Sequence, residues 1–163
     1  NGATVLTSVG GAGTGMNITK LLAVKEWMDD NEVPDEGRYI ALNANGFKTL
    51  LGETAITSSD YNTVQALVRG EINTFLGFTF MRIGKRVEGG LPHGGAGTYP
   101  TTGDVVDGFA WQRDAVGEAI GIDMQTSVDW VASKKSYLSS GDYKGNAVII
   151  DEVGCVKVQY TMI

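Results

Sequence analysis

Apolar positions along this chain fall into runs of two periods. From Asn17 onward, Ile18, Leu21, Leu22, Val24, Trp27 and Met28 recur at three- and four-residue intervals, the spacing of one helical face. Asn17 is a favoured N-cap, and Pro34 disfavours helix in the residue before it. The pattern therefore predicts a helix over 18–30. Tyr39, Ile40, Ala41 and Leu42 form a short apolar run that predicts a strand over 38–43. A helical turn is expected over 47–51, stopped by Gly52. Ser58, Ser59 and Asp60 supply caps for a second helix through Val64, Leu67 and Val68, closed by Gly70. Residues 71–77 predict a turn. Residues 78–83 predict a strand with Phe78 and Phe80 on one face.

From 84 to 108 the pattern stops, and the stretch holds eight glycines and two of the three prolines. Unpatterned connections of that length are usually functional or mobile, and this loop is expected to be flexible. Order is expected to resume at Phe109–Gln112, with a helical turn over 114–120. The cleanest alternation runs from Ile122 to Trp130. Ile122, Met124, Thr126, Val128 and Trp130 point one way; Asp123, Gln125, Ser127 and Asp129 point the other. This predicts a half-buried strand. Residues 133–146 are polar. Two short strands, 147–150 and 156–160, are expected to form a hairpin through Asp151, Glu152, Val153 and Gly154. The fold class read from this order is α/β (α+β). A central mixed sheet, flanked by helices, is expected to include 38–43, 78–83 and 122–130, with a C-terminal β-hairpin beyond it.

Composition narrows the function classes. A chain of 163 residues makes one ordinary domain and buries roughly 70% of its unfolded surface. No apolar run approaches the ~20 residues of a membrane span. The net charge of −6 is spread over scattered acids, which argues against a polybasic membrane anchor and a dedicated nucleic-acid binder. Cys155 is the single cysteine, so no internal disulfide forms; its alternating apolar surroundings mark a small core residue. His93, the single histidine, has no cysteine or second histidine near it to complete a metal site. The 23 glycines are about twice ordinary usage. The chain opens on Asn1, consistent with a fragment, a processed product or a trimmed chain.

Two segments imitate a nucleotide-binding enzyme. Gly10 to Gly15 has the G-x-x-x-x-G spacing of a phosphate-binding loop and precedes a helix. Ala147 to Asp151 resembles an apolar strand ending in a magnesium-holding acid. The chemistry also needs a lysine and a Ser/Thr hydroxyl after the second glycine, where this chain has Met16 and Asn17. A dinucleotide fingerprint fits less well, because Gly15 comes one residue early and the next strand ends at Asn43. The acid pairs Asp29-Asp30, Asp35-Glu36 and Asp151-Glu152 read as solvated turns. Trp27, Trp111 and Trp130 read as core or contact anchors.

An ordered series of segments is more specific than these motifs. A helix is followed by Val33-Pro34 and an acidic turn, then by a strand from Arg38 to Asn43. A short helix with Leu50-Leu51-Gly52 precedes Thr57 to Val64, then Ala66 to Glu71, Phe75 to Phe78 and a strand containing Arg82. Phe109-Ala110-Trp111 and Asp114 to Gly117 come later. Over about three quarters of the chain this series resembles the major capsid proteins of tailed bacteriophages with the Hong Kong 97-like fold.

The resemblance implies a structural protein with no catalytic residues, cofactor or metal. It implies a subunit of an icosahedral shell that self-assembles from hexamers and pentamers of one protein and encloses double-stranded DNA without binding it specifically. Scaffolding, portal and decoration proteins are further implied partners, and the implied location is the virion, assembled in the host bacterial cytoplasm. The resemblance implies two units: an axial-domain-like unit, residues 1–131 with flexible loop 84–108, and a returning peripheral-domain-like β segment, residues 132–163. The N-terminal arm, extended hairpin and long spine helix of the family lie outside it. Loop 84–108 is longer than the family's connection and supplies candidate subunit contacts: Gly89, Gly90, Leu91, Pro92, His93 and Tyr99. The alternatives are a nucleotide-dependent enzyme built on Gly10 to Gly15 with Asp151 as metal ligand, and a tail or decoration protein of a virion.

Overall fold

A computed structural model describes residues 8–9, 13–52, 74–86 and 90–163. The expected helix through Val64 to Val68 lies outside the described residues. So do Gly89, the first three residues of the Gly10–Gly15 segment and residues 71–73 of the turn expected over 71–77, whose described part includes a two-residue strand at Thr74–Phe75.

Helix α1, Ile18–Asp30, occupies the predicted span. The Asn17 side chain accepts a hydrogen bond from the Lys20 amide at 2.9 Å, satisfying one of the helix's orphan donors. Leu21, Val24 and Met28 form its buried face. Strand β2, Arg38–Leu42, follows. Helix α2, Ala44–Leu51, starts earlier than expected because Asn43 caps it, accepting from the Gly46 amide at 2.8 Å.

Six strands form the main sheet in the order β1-β8-β5-β2-β4-β3. Beyond β2 these are β1 (Ser8–Val9), β3 (Thr74–Phe75), β4 (Phe78–Arg82), β5 (Val105–Gln112) and β8 (Cys155–Thr161). The central β2 runs parallel to β4 and antiparallel to β5. Register puts Ile40, Phe80, Ala110 and Val156 on one face. That face carries Leu42, Phe78, Val106, Val158 and Tyr160 in the same buried cluster as Leu21, Val24, Met28 and Leu50 of the helices. The opposite face bears half-buried Tyr39 and Trp111, stacked at 5.8 Å.

Gly108 sits in β5 between β2 and β8. A Cβ there would stand 3.0 Å from the Ala41 carbonyl oxygen and 3.1 Å from Leu42 Cδ2. Backbone cannot move aside as a side-chain tip can. Gly108→Val is therefore expected to destabilise the chain by about 2–3 kcal/mol through overpacking, read as a lower urea midpoint at unchanged m-value. A midpoint equal to the parent's would show that the sheet spreads freely here.

Four sequence expectations need correction. Order resumes at Val105, not Phe109, because Val105 and Val106 find ladder partners in Thr161 and Tyr160. The helical turn expected over 114–120 is only the 3-10 turn Arg113–Ala115, after which the chain pairs as a strand. Strand 122–130 is not in the central sheet and is not half-buried. It belongs to β6, Val116–Val131, which pairs only with β7, Ser136–Ile149, in a separate two-stranded ribbon. Finally, 147–150 and 156–160 do not pair with each other. β7 follows β6, while β8 joins β5 because Val156, Val158 and Tyr160 can bury themselves only against the core. The expected division at residue 131 thus falls at the turn of the ribbon, with β8 in the six-stranded sheet.

The ribbon is anchored at its base. Ile150 and Asp151 both donate from their amides to the Ala115 carbonyl, at 2.8 and 3.2 Å. Gly154 packs so tightly there that a Cβ would lie 2.5 Å from the Ala115 Cβ.

Candidate assembly surfaces

The loop between β4 and β5 begins with Ile83, Gly84, Lys85 and Arg86 and returns along β5. Leu91 is partly buried against the core cluster. The Pro92 carbonyl accepts from the Asp107 amide at 2.9 Å, the Gly94 amide donates to the Val105 carbonyl at 2.9 Å, and His93 bridges Val106. Pro92 to Gly94 therefore runs antiparallel beside Val105 to Asp107 through a single bridge. The loop's end is fastened by Asp104, whose carboxylate accepts from both the amide and the hydroxyl of Thr101 at 2.7 and 2.9 Å. Those two donors hold its carboxyl below the usual range. Tyr99 stands exposed, with the Lys85 ammonium 6.0 Å from its ring centre. Of the candidate contact residues, Pro92 and His93 thus lie beside β5, Leu91 against the core and Gly90 against the Arg86 backbone. Tyr99 lies apart from them on the exposed return.

A hollow of about 150 Å³ opens beside this loop. The start of α2, Asn43 to Asn45, forms one wall; Arg82, Lys85 and Arg86 form another, with Gly90, Leu91 and Met162 completing it. All three cations are exposed, and no ion pair among the described residues engages them. Sequence reading passed over this site. Its signal was present as three cations in five residues, but the chain alone does not reveal that they surround a cavity.

The second surface is the ribbon. Strands of 16 and 14 residues project roughly 45–50 Å at ~3.3 Å per residue. Near the tip, Val128, Trp130 and Tyr137 share one face, and the Trp130 and Tyr137 rings meet edge-on at 5.0 Å. On the other face the hydroxyls of Ser127 and Ser140 meet at 2.7 Å. The expected alternation holds from Thr126 to Trp130, with Val128 64% exposed, but the ladder places Ile122 on the same face as Gln125, opposite Val128. Register shifts at Ile120/Ile122 and Ile122/Gln125 add local twist.

The described end of the glycine segment borders an open hollow lined by Gly13 to Asn17, Lys48, Thr49 and Ile163, and its polar groups are engaged by protein. The Gly13 amide donates to the Thr161 hydroxyl at 2.8 Å and the Met16 amide to the Thr49 hydroxyl at 3.1 Å. The buried Lys20 ammonium binds the carbonyls of Thr14 and Gln159, each at 2.9 Å, and burial pushes its pKa down. Met16 is a core residue. Asp151 lies before the start of β8, whereas Gly13 meets its end at Thr161. About 20 Å of extended strand separates them, so the two halves of the imitation do not meet. Among the described residues no group of three or more metal-ligating side chains occurs.

Comparison with known proteins places this architecture. No individual curated protein matches the chain. Among solved structures, one titled Mycobacterium phage Che8 is 16% identical with a TM-score of 0.68, covering 93% of this chain and 52% of its own. The capsid of the cyanophage P-SCSP1u is also 16% identical, with a TM-score of 0.65 over 94% of this chain and 53% of its own. The acidic stable capsid of Helicobacter pylori bacteriophage KHP30 is 10% identical, with a TM-score of 0.68 over 96% and 61%. The chain thus spans about half to three fifths of the structures it resembles. These likenesses establish the Hong Kong 97-like fold that the segment order implied. The family described as phage capsid protein matches residues 1–162, and the chain belongs to that family.

Proposed function

We propose that this chain is part of a subunit of an icosahedral phage shell, a structural protein that assembles with copies of itself and encloses the genome. The observation that carries the reading is the ribbon of residues 116–149 in a chain of the phage capsid protein family. Two strands alone are marginal in water, and an uncovered apolar face of this length suits a surface completed by other polypeptide. The net charge of −6 suits a wall around DNA that does not grip phosphates.

On this reading the six-stranded sheet with its helices is the axial-domain-like unit and the ribbon is peripheral-domain-like, a division that follows the sheets. Residues 90–93 and Tyr99 are subunit contacts. Hexamers and pentamers of the same protein are its principal assemblies, scaffolding, portal and decoration proteins are further partners, and assembly takes place in the host bacterial cytoplasm before the virion is complete.

The test is direct. The complete gene product containing these residues is expected to form closed particles, seen by electron microscopy and by mass in solution. A product that stays monomeric under every assembly condition overturns the reading.

A further inference from the structure

The two ends of the main sheet carry opposite charge. Where β2 begins and β5 ends, the α1–β2 turn exposes Asp30, Glu32, Asp35 and Glu36. Asp114 joins them, because the Gln112 amide nitrogen binds both the Glu36 carbonyl and the Asp114 carboxylate, at 3.3 and 3.2 Å. The cations beside this turn are paired with acids of the same end, the exposed Arg113 loosely with Asp114 at 3.6 Å. Lys25 is held at 2.8 Å by Asp29, and Arg38 at 2.6 Å by the same residue.

At the other end, where β2 and β4 finish, lies the hollow with Arg82, Lys85 and Arg86. None of the described residues lining it is acidic. The two sites sit at opposite ends of the parallel β2–β4 pair.

Surfaces of opposite sign at opposite ends exclude one kind of self-contact and favour another. A two-fold contact through either end sets like charges against each other. A head-to-tail contact sets carboxylates against cations, and head-to-tail contacts close into rings when the rotation permits. The hollow, at about 150 Å³, has room for a carboxylate side chain of the α1–β2 turn.

We propose that the acidic turn of residues 30–36 in one copy docks into the Arg82–Lys85–Arg86 hollow of the next, forming the charged part of a head-to-tail contact around a ring. The inference rests on the shell reading and adds the residues and the polarity of the contact.

The experiment uses the complete gene product containing these residues and follows assembly by light scattering and electron microscopy. One variant carries Lys85→Glu with Arg86→Glu, a second Asp30→Lys with Glu36→Lys, and a third all four changes. All four side chains are exposed, so circular dichroism is expected to match the parent's. Each half-reversal is expected to slow assembly about tenfold, since charges at a contact act chiefly on encounter rate. The fourfold variant is expected to recover most of that rate, and the parent's assembly is expected to slow in 1 M salt, where the Debye length is about 3 Å. Shells forming at the parental rate in both half-reversals overturn the contact while leaving the shell reading intact. So does a fourfold variant no better than its halves. Shells that assemble normally but lose packaged DNA when only the hollow is reversed also overturn it, assigning the cations to phosphate instead. A parent that forms no shells at all fails the underlying reading.

Discussion

Arg38→Ala is expected to cost about 3–5 kcal/mol of folding stability, the scale for removing one partner from a buried charge network. Arg38 is 2% exposed at the first position of β2, and each of its three guanidinium nitrogens donates. Nε donates to the Pro34 carbonyl at 3.0 Å, Nη1 to Asp29 at 2.6 Å and Nη2 to the Val33 carbonyl at 2.5 Å. Asp35 stands 3.2 Å away. One side chain thus fixes the whole α1–β2 turn, and truncation strands two carbonyls that helix and sheet do not serve.

Urea denaturation reads the loss. Arg38→Lys should fall between parent and alanine variant, because an ammonium keeps the charge but not the planar fork. An alanine variant within 1 kcal/mol of the parent, on the scale of an exposed ion pair, would show that water replaces the guanidinium freely.

The same network gives a pH signature. Lys25, and then Arg38, hold the Asp29 carboxyl below its ordinary range. A carboxylate with a depressed folded pKa stabilises fully above its unfolded pKa of ~4 and loses that contribution as pH falls through the folded value. The parent should therefore weaken on the acid side through this group. The Arg38→Ala variant should lose less there, because only the Lys25 contact remains. Asp29 is nearly half exposed, so this contribution is small beside the burial of Arg38 itself.

What the chain revealed before its structure follows a physical division. α1 was legible because a cap and a buried face are both local: Asn17 is followed by Leu21, Val24 and Met28 at helical spacing. β2 and β4 were legible as apolar runs, and an ordered series of such segments was enough to indicate the family. Strand partners were not legible. Alternation reports that a strand has an apolar side, but not which polypeptide covers it. The same alternating signal therefore described β8, which β5 and the helices bury, and β6, which nothing in the described chain covers. The start of β5 was missed because Asp107 and Gly108 interrupt its apolar character, although Val106 is fully buried. The buried arginine was missed for a related reason. A charged residue at a strand's edge reads as solvated unless its acceptors are known, and those of Arg38 are mostly backbone carbonyls.

The ribbon is where the shell reading makes its largest claim. Replacing Val128 and Trp130 together by Asp is expected to abolish closed particles while leaving the core fold intact. Both residues lie on the uncovered apolar face beside Tyr137. Neither belongs to the core cluster, so unfolding of the main sheet should match the parent. A large aromatic anchor typically contributes 2 kcal/mol or more to a contact, a factor of about thirty in affinity. In a shell every subunit repeats the same contact, and the loss multiplies through the assembly. Ser127→Ala on the opposite face serves as the control and should assemble as the parent does. Electron microscopy of particles and the mass of soluble product measure the outcome. If Val128→Asp/Trp130→Asp subunits closed into particles at the parental yield, the apolar face of the ribbon would have no part in holding the shell together. Its alternation would then need another cause. If they stayed as soluble subunits with the parent's unfolding midpoint, the ribbon would be established as an assembly element, separate from the domain that carries it.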